Sequence, residues 1–271
     1  MTGHTPDGVT GRRSVGHNAR VSTGLGEIVL LALAGVVGGA VNAVAGGGSL
    51  ITFPALLALG VPALTANISN SIAQSPGYAS VAVGYRRQLA GQWPRVRRLA
   101  PLALIGGAAG VVALEAGSHQ TFRSVVPWLI LLSCGLLAAQ PALRRRIEAG
   151  HLSAPPLIVL DVAMVLSGAY IAYFGAAAGV LLLAVLGVLV TDTLQRLNAL
   201  NRLLVLVVNA PAAVALAILG PVDWIAVAVL APATLVGGAL GVVVARRLSD
   251  RVLRAAVIAL GLGVALYLLL S

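Results

Sequence analysis

Four asparagines stand in register in this 271-residue chain: a shift of 131 carries Asn67 and Asn70 onto Asn198 and Asn201. A side-chain amide offers both donors and acceptors, and polar side chains within an apolar helix should turn inward, towards protein or a watery cavity. Asn67, Ser69, Asn70 and Gln74 recur about one helical turn apart at the head of one apolar segment. Asn198, Asn201 and Arg202 occupy the matching segment. Such amides can line a path for a polar guest or tie helices together, at on the order of 1 kcal/mol each. Arg202 has two readings of equal weight. Its long stem can carry the charge back to the cytoplasmic interface, or the charge can set a positive field along an anion path. Asn209 lies deeper in the same segment, close to Pro211.

Two breaks in the apolar pattern stand beside these groups. One is Ala45-Gly46-Gly47-Gly48-Ser49 and the other is Gly175-Ala176-Ala177-Ala178-Gly179. An interrupted helix within hydrocarbon is tolerated only where protein or a water-lined cavity surrounds it. Glycine lets backbone approach a guest closely. Ser49 is placed to cap a half-helix, with Thr52 in its first turn. The start of a half-helix presents N–H groups and a positive dipole end, which attract anions. Asn42 ahead of the first break, and Tyr170 and Tyr173 ahead of the second, are suitable donors to an oxyanion. Small residues also serve close helix packing, but the matched position of two breaks favours a site between them.

These groups must be held by membrane-spanning helices. Hydrophobic residues make up 59% of the chain and charged residues 10%, whereas soluble domains are roughly a quarter charged. The runs are long enough for a hydrocarbon core that takes about 20 helical residues, and they lack the alternation of barrel strands. The net charge of +10 comes with arginine alone, mostly in short loops. That fits the positive-inside rule and not a nucleic-acid-binding face. Cys134 alone excludes an internal disulfide.

The asparagine register belongs to a longer duplication. Residues 93–112 match residues 224–243 without a gap, twelve of twenty being identical, at the same shift of 131 (224 less 93). Apolar segments fall at 25–45, 49–60, 66–84, 98–116 and 123–140, then at 156–173, 176–190, 197–219, 224–245 and 252–270. The expected organisation is a disordered basic tail at 1–24 and a first transmembrane repeat at 25–140. A cytoplasmic linker follows at 141–155, then a second repeat at 156–271. Arginine places loops 85–98, 141–155 and 246–254 inside, and uncharged 220–223 outside. Equivalent loops thus fall on opposite sides. The fold expected is an all-α polytopic membrane protein of two inverted repeats, with about eight transmembrane helices. A broken or re-entrant segment opens each repeat.

The stretch VNAVAGGGSLITFPALLALGVPALTANISNSIAQSPG, with YFGAAAGVLLLAVLGVL, LNALNRLLVLVVNAPAA and the trailing GPVDW, resembles the sulfite exporter TauE/SafE family over essentially residues 25–270. The resemblance implies an inner-membrane carrier of small anions such as sulfite, sulfonates or short organic acids. It gives Gly46, Gly47, Gly48, Ser49, Pro54, Asn67 and Asn70 as a first signature. Tyr173, Gly175, Gly179, Asn198 and Asn201 form the second. The second turn departs from the family pattern in being alanine-rich, and Asn201-Arg202 stands where a basic residue is usual.

Inverted duplicated membrane units are the mark of secondary transporters, with a midplane site where the halves meet. The expected substrate-binding residues are Asn42, Gly46, Gly47, Gly48, Ser49, Thr52, Asn67, Asn70, Tyr173, Gly175, Gly179, Asn198, Asn201 and Arg202. The expected partners are a small anion and the lipid bilayer, with no nucleic acid; homo-oligomerisation stays open. No cofactor or metal is implied. His4, His17, His119 and His151 fall in tails or loops, and no HExxH, phosphate loop or paired-carboxylate site appears. The rivals are a passive anion channel and a structural or regulatory membrane subunit.

Overall fold

A computed structural model of the chain describes residues 24–149, 157–244 and 250–270. The basic tail and the second half of the expected linker lie outside the described residues. Within them every regular element is helical: α1 (Leu25–Ala45), α2 (Ser49–Ala58), α3 (Ala63–Gly84), α4 (Trp93–Ala116), α5 (His119–Glu148), α6 (Leu157–Tyr173), α7 (Ala178–Leu189), α8 (Leu194–Leu219), α9 (Trp224–Val244) and α10 (Asp250–Leu270). A single 3-10 turn, Arg86–Leu89, precedes α4.

Helix starts repeat at the sequence shift: α3 and α8, α4 and α9, and α5 and α10 each begin 131 residues apart. Packing follows the same exchange. α1 lies along α9 and α6 along α4, while α3 crosses α8 and α5 rests on α10. Glycines set these distances. A Cβ on Gly106 or Gly110 of α4 would overlap the carbonyls of Val165 or Ala169 in α6. Their repeat partners, Gly237 and Gly241 of α9, lie equally close to Val36 and Ala40 of α1. Lipid tails are as apolar as leucine, so close backbone approach replaces hydrophobic burial as the force joining such helices.

The bundle is apolar outside and polar within. Val29, Leu33, Ile105, Val112, Trp128 and Leu132 are exposed, whereas Asn42, Thr52, Asn67, Asn70, Gln74, Asn201 and Arg202 are buried. Five stretches among the described residues are long and apolar enough to cross a membrane: Leu25–Ala43, Trp93–Ala116, Gln120–Ala142, Leu194–Leu219 and Trp224–Gly241. α3 matches them in length but carries the amide face, and α2 and α7 are short. The chain is a multi-pass membrane protein.

Two boundaries differ from the sequence expectation. α4 begins at Trp93 rather than 98, because Pro94 suits a first helical turn and Arg95, Arg97 and Arg98 extend from that turn rather than from a loop. α5 runs through Pro141 to Glu148, into the stretch read as linker.

Ion pairs gather at the start of α4. Arg98 Nη2 bonds Asp161 Oδ1 at 2.8 Å, so Asp161 pairs with α4 rather than capping its own helix. Asp192, between α7 and α8, accepts from Arg95 and, at 3.0 Å, from Arg196 Nε. Gln92 Nε2 donates to the Arg196 carbonyl at 2.9 Å. Burial pushes the Asp192 carboxyl up, but bonds from Arg95, the Thr193 N–H and Arg196 outweigh that and hold it below the ordinary aspartate range.

Two outcomes follow. Gly106→Ala should destabilise the detergent-solubilised protein by about 1–3 kcal/mol through overpacking. Gly135→Ala, where a Cβ meets nothing within 4 Å, should leave the melting temperature level or raise it. The depressed Asp192 pKa means its ion pairs stabilise fully above the unfolded aspartate value of about 3.9. That contribution drains away as pH falls through the lower folded value. Melting temperature against pH should show an acid-side loss, worth at most about 1 kcal/mol, that Asp192→Asn lacks; parallel curves would refute it.

Candidate functional site

The two helix breaks touch. α1 ends at Ala45, and Gly46 turns left-handed (φ 78°), its N–H returning to Val41 and Asn42 carbonyls at 3.3 and 3.1 Å. α6 ends at Tyr173, and Gly175 (φ 71°) returns its N–H to the Tyr170 carbonyl at 3.1 Å. Ala177, the repeat partner of Gly46, is left-handed too (φ 53°) although it carries a methyl group. That conformation costs an L-residue roughly 1–2 kcal/mol, so the alanine-rich turn keeps the glycine turn's shape against a strain. A Cβ on Gly46 would stand 2.9 Å from the Gly179 Cα, and one on Gly179 would stand 2.9 Å from the Gly46 Cα. Nothing larger than glycine fits this crossing.

Side chains from α3 and α8 hold the breaks. On α8, Asn201 Nδ2 donates to the Gly179 carbonyl at 2.7 Å, and Arg202 Nη2 donates to the Ala43 carbonyl at 3.4 Å. Arg202 is 5% exposed, and a Cβ on Gly179 would lie 2.7 Å from its Nη1. It therefore sits at the crossing and does not reach the interface. On α3, Asn67 Nδ2 donates to the Tyr173 carbonyl at 2.9 Å. Thr52 Oγ donates to Asn70 Oδ1 at 2.5 Å and accepts from Gln74 Nε2 at 3.0 Å. Asn70 and Asn201, related by the repeat, thus each grip the half-helix of their own half. Asn209 ties α8 to α3 through the Ser71 carbonyl (3.1 Å) and Ser75 Oγ (2.8 Å), and α8 continues through Pro211.

Other expected residues are placed differently. Ser49 is not a cap: Gly48 holds the N-cap position, and no side chain caps α2 or α7. Its repeat partner across the crossing is a valine, Val180, so the second half-helix begins without a hydroxyl. The Tyr173 ring packs on Phe122 at 5.9 Å, so its backbone carbonyl rather than its phenol meets the amide network. Asn198 is only half-buried. Gly47 is buried beside Leu137.

Two residues that the sequence reading passed over join the network. Tyr78 of α3 is buried, 5% exposed, among the polar groups of that helix. Its spacing from Asn67, Asn70 and Gln74 puts it on their helical face, which was the available signal. Ser133 Oγ of α5 meets Tyr170 Oη at 2.6 Å, and both oxygens lie within hydrogen-bonding distance of the Ala176 carbonyl, at 3.1 and 2.6 Å. Phe53 of α2 meets Phe174 of the second break edge-on at 5.5 Å.

The arrangement therefore brings one guanidinium, fixed in charge at any working pH, together with amide and hydroxyl donors beside glycine-lined backbone. This chemistry suits an anion. A separate cavity of about 330 Å³ between α4 and α8 is lined by apolar groups, among them Leu104, Gly107, Val111, Val208 and Ala212.

A family model described as sulfite exporter TauE/SafE matches residues 31–268, which takes in both breaks and every residue of the crossing. The chain belongs to the sulfite exporter TauE/SafE family. A "Probable membrane transporter protein" of Haemophilus influenzae is 30% identical to this TauE/SafE chain over 108 residues, 40% of this chain and 42% of the relative. The matched segment thus spans less than half of that relative's length. No solved structure matches the chain.

The crossing gives a paired test. Gly46→Ala and Gly60→Ala both force a methyl group onto a left-handed residue, but Gly60 has nothing within 4 Å. Both should lose about 1–2 kcal/mol to backbone strain, and Gly46→Ala should lose at least about 1 kcal/mol more. Equal losses in thermal melts would mean that the breaks do not press on each other.

Proposed function

We propose that this TauE/SafE protein is a secondary transporter of a small anion, of the sulfite, sulfonate or short organic acid type, acting in the inner membrane. The carrying observation is Arg202, a permanent charge buried where two broken helices meet. Withdrawing a cation from water costs several kcal/mol, and a site that alternately holds and releases an anion gives that cost a use. Asn42, Ser49, Thr52, Asn67, Asn70 and Asn201 surround the site with donors and ties. Gly46, Gly47, Gly48, Gly175 and Gly179 give the backbone room. Tyr173 contributes its carbonyl, and Asn198 lines the approach.

The arginine-rich loops favour opposite orientation of the two halves, and such halves can rock about a fixed central site. The abutting glycine backbones favour a carrier over an open channel. Outward transport fits the membrane potential: expelling one negative charge from a cell that is negative inside gains about 2.3 kcal/mol per 100 mV.

Purified protein in liposomes should exchange labelled sulfite, methanesulfonate or acetate by counterflow. Arg202→Gln should lower that exchange at least about tenfold, since a hydrogen bond to a charged group contributes about 1.5–3 kcal/mol. The variant's insertion and melting temperature should be retained. Exchange at the wild-type rate in the variant, or flux in the wild type without counterflow, would overturn the carrier reading.

A further inference from the structure

The duplication builds one groove twice. The apolar cavity between α4 and α8 is lined by Ala108, Pro211 and Ala215, among others. Under the shift of 131 these correspond to Ala239, Ser80 and Gly84. Those three line a second cavity, of about 450 Å³, at the end of α3 beside α9. The copies differ in what closes them. Past Gly84 the chain leaves its helix, and Arg86, Arg87 and Gln88 of the 3-10 turn join the lining of the second cavity. Their counterparts in α8, Ala217, Ile218 and Leu219, carry no charge. The two guanidinium groups are also uncommitted. Arg95, Arg98 and Arg196 each pair with Asp161 or Asp192, whereas Arg86 and Arg87 are exposed and have no carboxylate partner among the described residues. The remaining wall is apolar and faces outward. Val83 lines the cavity and is exposed, and Val236, one turn before Ala239 on α9, is exposed too.

We propose that this cavity holds the headgroup of an anionic phospholipid, with its phosphate on Arg86 and Arg87 and its acyl chains along Val83 and the exposed face of α9. The guanidinium fork matches phosphate geometry. Positive loops mark the cytoplasmic side, where anionic lipids concentrate and basic pockets between membrane helices take up their headgroups. About 450 Å³ falls within the roughly 300–1,000 Å³ of small-ligand sites, which suits a headgroup rather than a whole lipid. A soluble anion would use the charges alone, and a lipid uses the charges and the apolar wall together. Because α3 belongs to the first repeat and α9 to the second, the bound lipid bridges the halves at one end of the bundle only. The proposal is independent of the anion-carrier reading, which concerns the crossing at Arg202.

Native mass spectrometry and thermal melts of the full-length protein in neutral detergent test this, with dioleoyl phosphatidylglycerol and dioleoyl phosphatidylcholine as probes. Phosphatidylglycerol should be retained about tenfold more strongly than phosphatidylcholine and should raise the melting temperature. The double variant Arg86→Gln/Arg87→Gln should remove most of that preference. The charge-matched Arg123→Gln/Arg145→Gln, at exposed arginines elsewhere, should keep it. Ala239→Phe fills the cavity without changing charge and should also remove the preference, whereas its counterpart Ala108→Phe should not. This phenylalanine pair carries the test should the arginine variant fail to fold. Free glycerol 3-phosphate at millimolar concentration should not displace the lipid. Equal retention of the two lipids, an equal loss in the charge-matched control, or wild-type preference in Ala239→Phe would overturn the lipid site. Displacement by glycerol 3-phosphate would overturn it in favour of a soluble anion.

Discussion

The near-contact of Gly46 and Gly179 is the constraint on which the rest of the structure depends. With two backbones at that distance, neither break can carry a side chain towards the other. The polar groups must then come from the helices alongside, α3 and α8. Both are long, both start at equivalent points of the duplication, and both carry a file of amides facing inward. The short α2 and α7 supply backbone, and the long helices supply chemistry.

The same constraint explains where glycine is spent elsewhere. Gly106 and Gly110 on α4, with Gly237 and Gly241 on α9, bring each of these helices against the first helix of the other half. The helices that end at the breaks are thus clamped by the opposite repeat. Each break is positioned from outside its own half, so the halves cannot form the crossing separately.

Much of this was legible in the sequence. The duplication gave the paired helices, and the glycine and alanine runs marked the breaks to within a residue or two. The asparagine register located the two amide-bearing helices. What escaped depended on environment rather than type. Tyr78 looks like an ordinary aromatic in an apolar run, and only its place on the amide face of α3 distinguishes it. Ser49 reads as a cap, but Gly48 takes that position. Asn67 and Asn198 are equal in sequence and unequal in burial, because a duplication repeats residues without repeating their neighbours. The start of α4 was hidden because arginines in a first helical turn look like a loop when only charge is counted.

Asn201 and Arg202 are consecutive on α8, and successive helical side chains diverge by about 100°. One reaches the second break and the other reaches the end of α1. A twist of α8 about its own axis would therefore strain both attachments in the same motion. Neither break could be unlatched from this helix while the other stayed fastened to it, so the two would have to let go together.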